Sequence, residues 1–220
     1  MKTVAEKLSA VREEMKKACA RCGRNVSEVT LVAVTKTVSP DLIRQAMDCG
    51  AYVLGENRVQ ELCEKYPLIE GATWHLIGHL QTNKVKQAVG KAALIHSVDS
   101  LHLAQEIDRA AKKAGIVQQI LLELNISGEE SKYGLTIDEI PSIIKGIDSL
   151  ENVAFKGFMT MAPFGASEEE LHKIFGQARA VFEEYKTRGA EILSMGMSGD
   201  FPIAIEEGAT HIRVGSAIFK

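Results

Sequence analysis

Short runs of apolar and β-branched residues alternate with stretches of helical period along almost the whole chain. Residues 2–20 come first, with Val4, Leu8, Val11, Met15 and Ala18 on one face, and predict an amphipathic helix that stops at Cys22-Gly23. Strands are then expected over residues 30–35, 52–54, 73–77, 94–96, 118–125, 153–159, 191–194 and 212–214. Helix signals recur between them. Ser39-Pro40 opens a helix that closes near Gly50, another covers about 58–65, and Thr82 stands as the cap of the next. Leu101, Ala104, Ile107 and Ala111 share a face before Gly115. Thr136 with Glu139 and Ser167 with Glu170 form two capping boxes, the second opening a helix to about Arg188.

This alternation over 220 residues predicts one domain, residues 1–220, folded as a closed (β/α)8 barrel of the TIM type with an extra N-terminal helix. The alternative is a doubly wound open sheet. That fold calls for G-x-G-x-x-G after the first strand, and the glycine-rich loops here follow the last two strands instead.

The first strand runs into Thr35-Lys36, just before the helix start at Ser39-Pro40, so Lys36 belongs at the strand's C-terminal mouth. Ligands bind at that end of parallel α/β sheets. Taken alone, Lys36 reads first as a solvated lysine that ends a strand. The segments Met195-Gly196-Met197-Ser198-Gly199-Asp200 and Gly215-Ser216 follow strands seven and eight, where many such barrels bind phosphate. Their glycines allow close backbone approach, Ser198 and Ser216 offer hydroxyl donors, and a helix expected near Gly199 presents free N–H groups. The plainer reading is that these glycines only turn strands into helices.

Charge and composition narrow the function. A net charge of −3 with 5% aromatic residues supplies neither the basic footprint nor the stacking platforms of nucleic-acid binding. No apolar run approaches a membrane span, and the mixed charge of residues 2–20 does not suit a secretion signal, so a cytoplasmic protein is expected. Cys19, Cys22, Cys49 and Cys63 are scattered, which agrees with that location. Cys19 and Cys22 lack the second pair that a zinc site needs. His75 and His79 are four apart, but Gly78 breaks the helix a metal pair would require, so they read as strand and rim residues and no metal is expected. Lys84 and Lys132 could steer an anionic ligand, or simply solvate their loops.

A strand-end lysine, a phosphate cradle and an arginine in the last strand together suggest pyridoxal 5′-phosphate. The sequence resembles the pyridoxal-phosphate homeostasis protein family, which shares its barrel with the N-terminal domain of alanine racemase. The resemblance runs from about residue 29 to 219. It rests on Val32-Ala33-Val34-Thr35-Lys36, Gly55-Glu56-Asn57, the stretch from His75 to Lys84, Ser131-Lys132-Tyr133-Gly134-Leu135, Met195-Gly196-Met197-Ser198-Gly199-Asp200, and the stretch from Arg213 to Phe219. It implies that Lys36 carries the cofactor imine, that Ser198, Gly215 and Ser216 hold the phosphate, and that Arg213 faces the pyridine nitrogen. Asn57 and Met195 would line the ring pocket. Its partners would be pyridoxal phosphate and other B6 vitamers, with apo forms of pyridoxal-phosphate enzymes as candidate recipients. The chain departs from the family where it stops at Phe219-Lys220, since members usually continue with a glycine and a few basic residues.

A lysine suits position 36 because an amine whose pKa falls on desolvation becomes a nucleophile toward an aldehyde. Arginine stays protonated, so Arg213 would keep the ring nitrogen unprotonated and leave a poor electron sink. Apart from the resemblance, Arg213 reads as one half of a barrel-rim ion pair. Racemisation needs a second base, which alanine racemase takes from a tyrosine in its partner's additional domain. That domain is not expected here, and Tyr133, the one tyrosine placed at the mouth, reads as loop packing. A monomeric binding and carrier protein is therefore expected, with a weak or narrow amino-acid racemase as the alternative.

Overall fold

The computed structural model describes residues 2–126 and 133–220. Helix α1 (Val4–Arg21) begins at a Thr3/Glu6 capping box and buries Val4, Leu8, Val11, Met15 and Ala18. Eight parallel strands follow: β1 (Thr30–Val34), β2 (Val53–Glu56), β3 (Thr73–Leu76), β4 (Leu94–Val98), β5 (Gln118–Leu124), β6 (Val153–Thr160), β7 (Ile192–Ser194) and β8 (His211–Val214). They pair in chain order, and β8 returns to β1 with Arg213 beside Val32, closing the barrel. The expected (β/α)8 architecture with an extra N-terminal helix is the one observed.

The connecting helices are α2 (Pro40–Asp48), α3 (Val59–Lys65), α4 (Val85–Ala88), α5 (Leu101–Ala114), α6 (Ile140–Ile147), α7 (Glu168–Glu184) and α8 (Phe201–Glu206), and α9 (Ser216–Phe219) ends the chain. Both predicted capping boxes form, at Thr136/Glu139 and Ser167/Glu170. Gly115 ends α5 in the left-handed conformation.

Strand alternation sorts the core into two layers. Ala33, Leu54, Leu76, Ile95, Phe158, Leu193 and Ile212 face outward and merge with helix residues such as Ile43, Leu62, Ile107 and Phe175. Leu94, Leu121 and Met159, with Ile192 against them, form a separate apolar cluster, held apart from the first by the barrel wall. The remaining inward positions are largely polar, and they lead to the site.

Several boundaries differ from expectation. β2 continues through Gly55-Glu56 because both residues keep pairing with β3. Thr82 is not a helix cap; it starts a 3-10 turn, Thr82–Lys84, and only the four residues of α4 follow. The long helix α7 stops at Glu184, and Lys186–Arg188 form a separate 3-10 turn. α8 starts at Phe201 and not near Gly199, because the Asp200 carboxylate takes the Met197 N–H and holds the preceding residues in a turn. The Ser131-Lys132 part of one family motif, with Lys132 as a steering charge, lies outside the described residues. Among the described residues, no helix is long and apolar enough to cross a membrane.

Candidate functional site

Lys36 is exposed in the turn that follows β1 at the C-terminal mouth of the barrel. It continues the alternation of Val32 and Val34. Val32 is inward: a Cβ built on Gly55 of β2 would meet Val32 Cγ1 at 2.9 Å and Ile77 Cδ1 at 3.2 Å. The next residue, Thr37, has φ 60°, the one non-glycine residue in the left-handed region among those described.

Beside β1, the loop after β8 is fitted against the same strand end. A Cβ at Gly215 would lie 3.1 Å from both Val34 Cβ and Val34 O, so a larger residue there would push the two strand ends apart. Ser198, in the loop after β7, accepts from Gly215 N–H at 3.2 Å and Ala217 N–H at 3.4 Å. A hydroxyl that accepts twice keeps its single proton to donate. The two loops thus meet at Ser198, whose hydroxyl proton is left to donate, with the Ser216 hydroxyl exposed next to it. Such a donor set suits an anion.

Arg213, on β8, points into the barrel and is 3% exposed. Its Nη1 donates to Ser194 Oγ at 2.7 Å and its Nη2 to the Thr160 carbonyl at 2.9 Å. Burial lowers its pKa to about 10, against the pull of Asp200 and Glu123, so it remains a cation at neutral pH. It is therefore not a rim ion pair; its two closest partners are an uncharged hydroxyl and a backbone carbonyl.

Behind Arg213 the hydrogen bonds continue. Ser194 Oγ lies 3.0 Å from His96 Nδ1, and His96 Nε2 lies 3.0 Å from His75 Nδ1. Arginine can only donate, so Ser194 accepts from Arg213. The Ser194–His96 bond runs in either direction according to the His96 tautomer, and one proton lies between His96 Nε2 and His75 Nδ1. Both rings are neutral: burial takes His75 down to about 3 and drives His96 well below 6.5. His211 stacks on His75 with centroids 6.0 Å apart, and burial lowers it to about 4. His75 is thus an interior residue of the barrel, where most barrels place branched aliphatic side chains.

Two acidic groups complete this end. Glu123 is buried on β5, and burial with the charge of Asp99 raises it to about 7. Burial also raises Asp200. At the rim, His79 stacks face to face on Tyr133 at 4.0 Å and approaches Asp99 at 3.4 Å, which is the loop packing expected of Tyr133. Among the described residues no group of three or more His, Cys, Asp or Glu side chains could hold a metal.

Lys36, Arg213, Ser198, Gly215 and Ser216 are thus brought to one end of the barrel on adjacent strands. Asn57 joins them, half-buried at the end of β2, where its carbonyl lies so close to Gly78 that a Cβ there would meet it at 2.3 Å. Met195 does not join them. It is wholly buried in the outward layer shared with the helices, because it follows the inward Ser194 and takes the opposite side of the strand. The inward polar residues Ser194, His96 and Glu123 escaped the sequence reading. Their signal was a polar residue two positions after an inward apolar one, as in Leu94/His96, Leu121/Glu123 and Ile192/Ser194.

These residues fit pyridoxal phosphate in kind: an amine at one strand end, hydroxyl donors for an anion beside it, and a fixed cation deeper in the barrel. The sequence matches the family described as alanine racemase, N-terminal domain, over residues 7–220. It is 43% identical over 219 residues to a pyridoxal phosphate homeostasis protein of Aquifex aeolicus, covering 97% of this chain and 96% of the relative. To the protein of the same name from Escherichia coli K12 it is 34% identical over 229 residues, covering 100% and 97%. PipY of Synechococcus elongatus, solved with pyridoxal phosphate bound, superposes with a TM-score of 0.86 at 34% identity, over 99% of this chain and 100% of PipY. Alanine racemase of Clostridium difficile shares the fold, with a TM-score of 0.76 at 15% identity over 94% of this chain and 54% of the racemase. The chain belongs to the alanine racemase N-terminal domain family and, within it, to the pyridoxal phosphate homeostasis proteins.

Proposed function

We propose that this protein binds pyridoxal 5′-phosphate reversibly at the C-terminal mouth of its barrel and thereby acts in the intracellular homeostasis of the cofactor. The observation that carries this reading is the convergence, at one end, of Lys36, the Ser198 and Ser216 hydroxyls and the buried Arg213. When bound, the cofactor would supply an aldehyde, and Lys36 would be the amine that holds it.

Ser198 donates its remaining proton to the phosphate, and Gly215 lets the backbone approach it. Ser216 adds a second hydroxyl. Arg213, held by Ser194 and Thr160, presents its remaining N–H groups to the ring nitrogen, while Asn57 borders the ring. Reversible storage and release need no proton transfer at a substrate carbon. The names of the full-length relatives and the cofactor bound in PipY support this role. The proposal extends to a cytoplasmic monomer that holds B6 vitamers and passes the phosphate form to apo-enzymes.

The test is borohydride reduction of the protein loaded with pyridoxal phosphate, followed by peptide mapping. The label is expected on the peptide containing Lys36 and should be lost in Lys36→Ala. Full labelling of that variant at another single lysine would refute the assignment.

A further inference from the structure

Helix α3 ends on Lys65, a residue that cofactor binding leaves unused. Its side chain is buried on the outer side of the barrel wall, with the whole residue 8% exposed. An ammonium carries three protons. Three acceptors take them: Thr35 O at 2.7 Å, Glu56 Oε1 at 2.7 Å and Glu61 Oε2 at 3.0 Å.

The same carboxylates also hold the turn that bears Lys36. Thr35 Oγ1 donates to Glu56 Oε1 at 2.6 Å, and Thr37 N–H donates to Glu61 Oε2 at 2.9 Å. The peptide plane before Lys36 is gripped by its carbonyl, which accepts from Lys65 and, at 3.0 Å, from Val38 N–H. The plane after Lys36 is gripped by its N–H, through Glu61. Peptide planes are rigid, so fixing both fixes the Cα–Cβ direction of Lys36 and leaves only its side-chain torsions free. Thr37 at φ 60° is strained for a residue with a Cβ, and such strain persists where the surroundings over-determine it.

We infer that Lys65, Glu56 and Glu61 form a positioning clamp that aims the Lys36 amine at the cofactor's aldehyde before the cofactor arrives. This rests on the reading of Lys36 as the linking amine. Stability alone does not call for the cluster, since a buried ion pair gains little over apolar side chains of similar volume. Glu56 even keeps one buried oxygen, Oε2, without a hydrogen-bond partner. Apolar packing could not supply the bonds to the Thr35 carbonyl and the Thr37 amide.

Two variants test the clamp. Lys65→Met with Glu56→Gln removes the charges as a pair, and Glu61→Ala changes a partly exposed residue. Each is given pyridoxal 5′-phosphate, with the rate of covalent capture followed by absorbance and fixed by borohydride. Each is also given pyridoxine 5′-phosphate, whose alcohol cannot link to Lys36 and which therefore reads the pocket alone. Capture should slow about 10- to 100-fold while pyridoxine 5′-phosphate affinity and the thermal midpoint hold. Unchanged capture in both variants, with Lys36 still the labelled residue, would overturn the clamp and leave cofactor binding intact. Equal weakening of both ligands would also overturn it, as general damage to the pocket. Labelling of a lysine other than Lys36 in the wild type would remove the reading on which the clamp rests.

Discussion

His96 Nε2 and His75 Nδ1 face each other at 3.0 Å inside the barrel, and the two nitrogens share a single proton. A further proton would make one of the rings a cation where water cannot reach it. The unfolded chain has no such constraint. Its histidines protonate near 6.5, while in the fold His75 waits until about 3 and His211 until about 4. Their folded pKa values are depressed, so stability is full above about pH 6.5 and is lost as pH falls toward 3–4. Urea midpoints measured across that window should drop in the wild type, and the drop should be shallower in His75→Gln. Parallel curves would contradict the buried neutral pair.

Glu123 acts in the opposite direction. Burial raises it to about 7 from an ordinary 4.5, so its contribution is present below about pH 4.5 and is lost as pH rises through 7. Glu123→Gln should match the wild type in acid and exceed its stability above neutral pH. Chemical denaturation at both ends of the window measures the difference.

Ser194 joins Arg213 to His96, and Ser194→Ala leaves a guanidinium N–H and an imidazole nitrogen without their partner. The expected cost is about 1–3 kcal/mol of stability. Because Arg213 loses one of its two anchors, affinity for pyridoxal phosphate should fall as well. Calorimetric titration of the variant with pyridoxal phosphate checks this second effect separately.

Replacing Ser198 and Ser216 together by alanine should weaken retention of pyridoxal phosphate far more than of pyridoxal. Each lost hydrogen bond to a charged phosphate is worth about 1.5–3 kcal/mol. Equal weakening of both vitamers would show that these hydroxyls do not touch the phosphate.

The proposed place of Arg213 at the ring nitrogen also implies what the cofactor could do to a bound amino acid: a cationic, donor-only group would meet that nitrogen unprotonated and leave a weak electron sink. Deuterium exchange at the α-carbon of alanine, followed by NMR in heavy water, should run far below the roughly 1–1000 per second of ordinary enzymes. Arg213→Glu should speed exchange while costing cofactor affinity, since it buries a carboxylate. Fast exchange with racemisation in the wild type would make this protein a racemase.

The sequence by itself determined the order of elements, the closed barrel and the end of it that carries chemistry. Apolar periodicity and capping residues are local signals, and the capping boxes at Thr136/Glu139 and Ser167/Glu170 need only neighbours three residues apart. Lys36, Ser198, Gly215 and Ser216 were legible for a related reason: each stands just past a strand, and in a parallel barrel every strand end lies at the same mouth. Tertiary structure alone decided which polar residues meet across the barrel. Ser194 touches His96 across 98 positions of sequence and Arg213 across 19. Lys65 reaches the carbonyl before Lys36 from 30 positions away. Met195 turned outward because one step along a strand reverses the side chain, so its side depends on the residue at which inward phase begins. Closure of the barrel sets that phase, and the strand's own residues do not encode it.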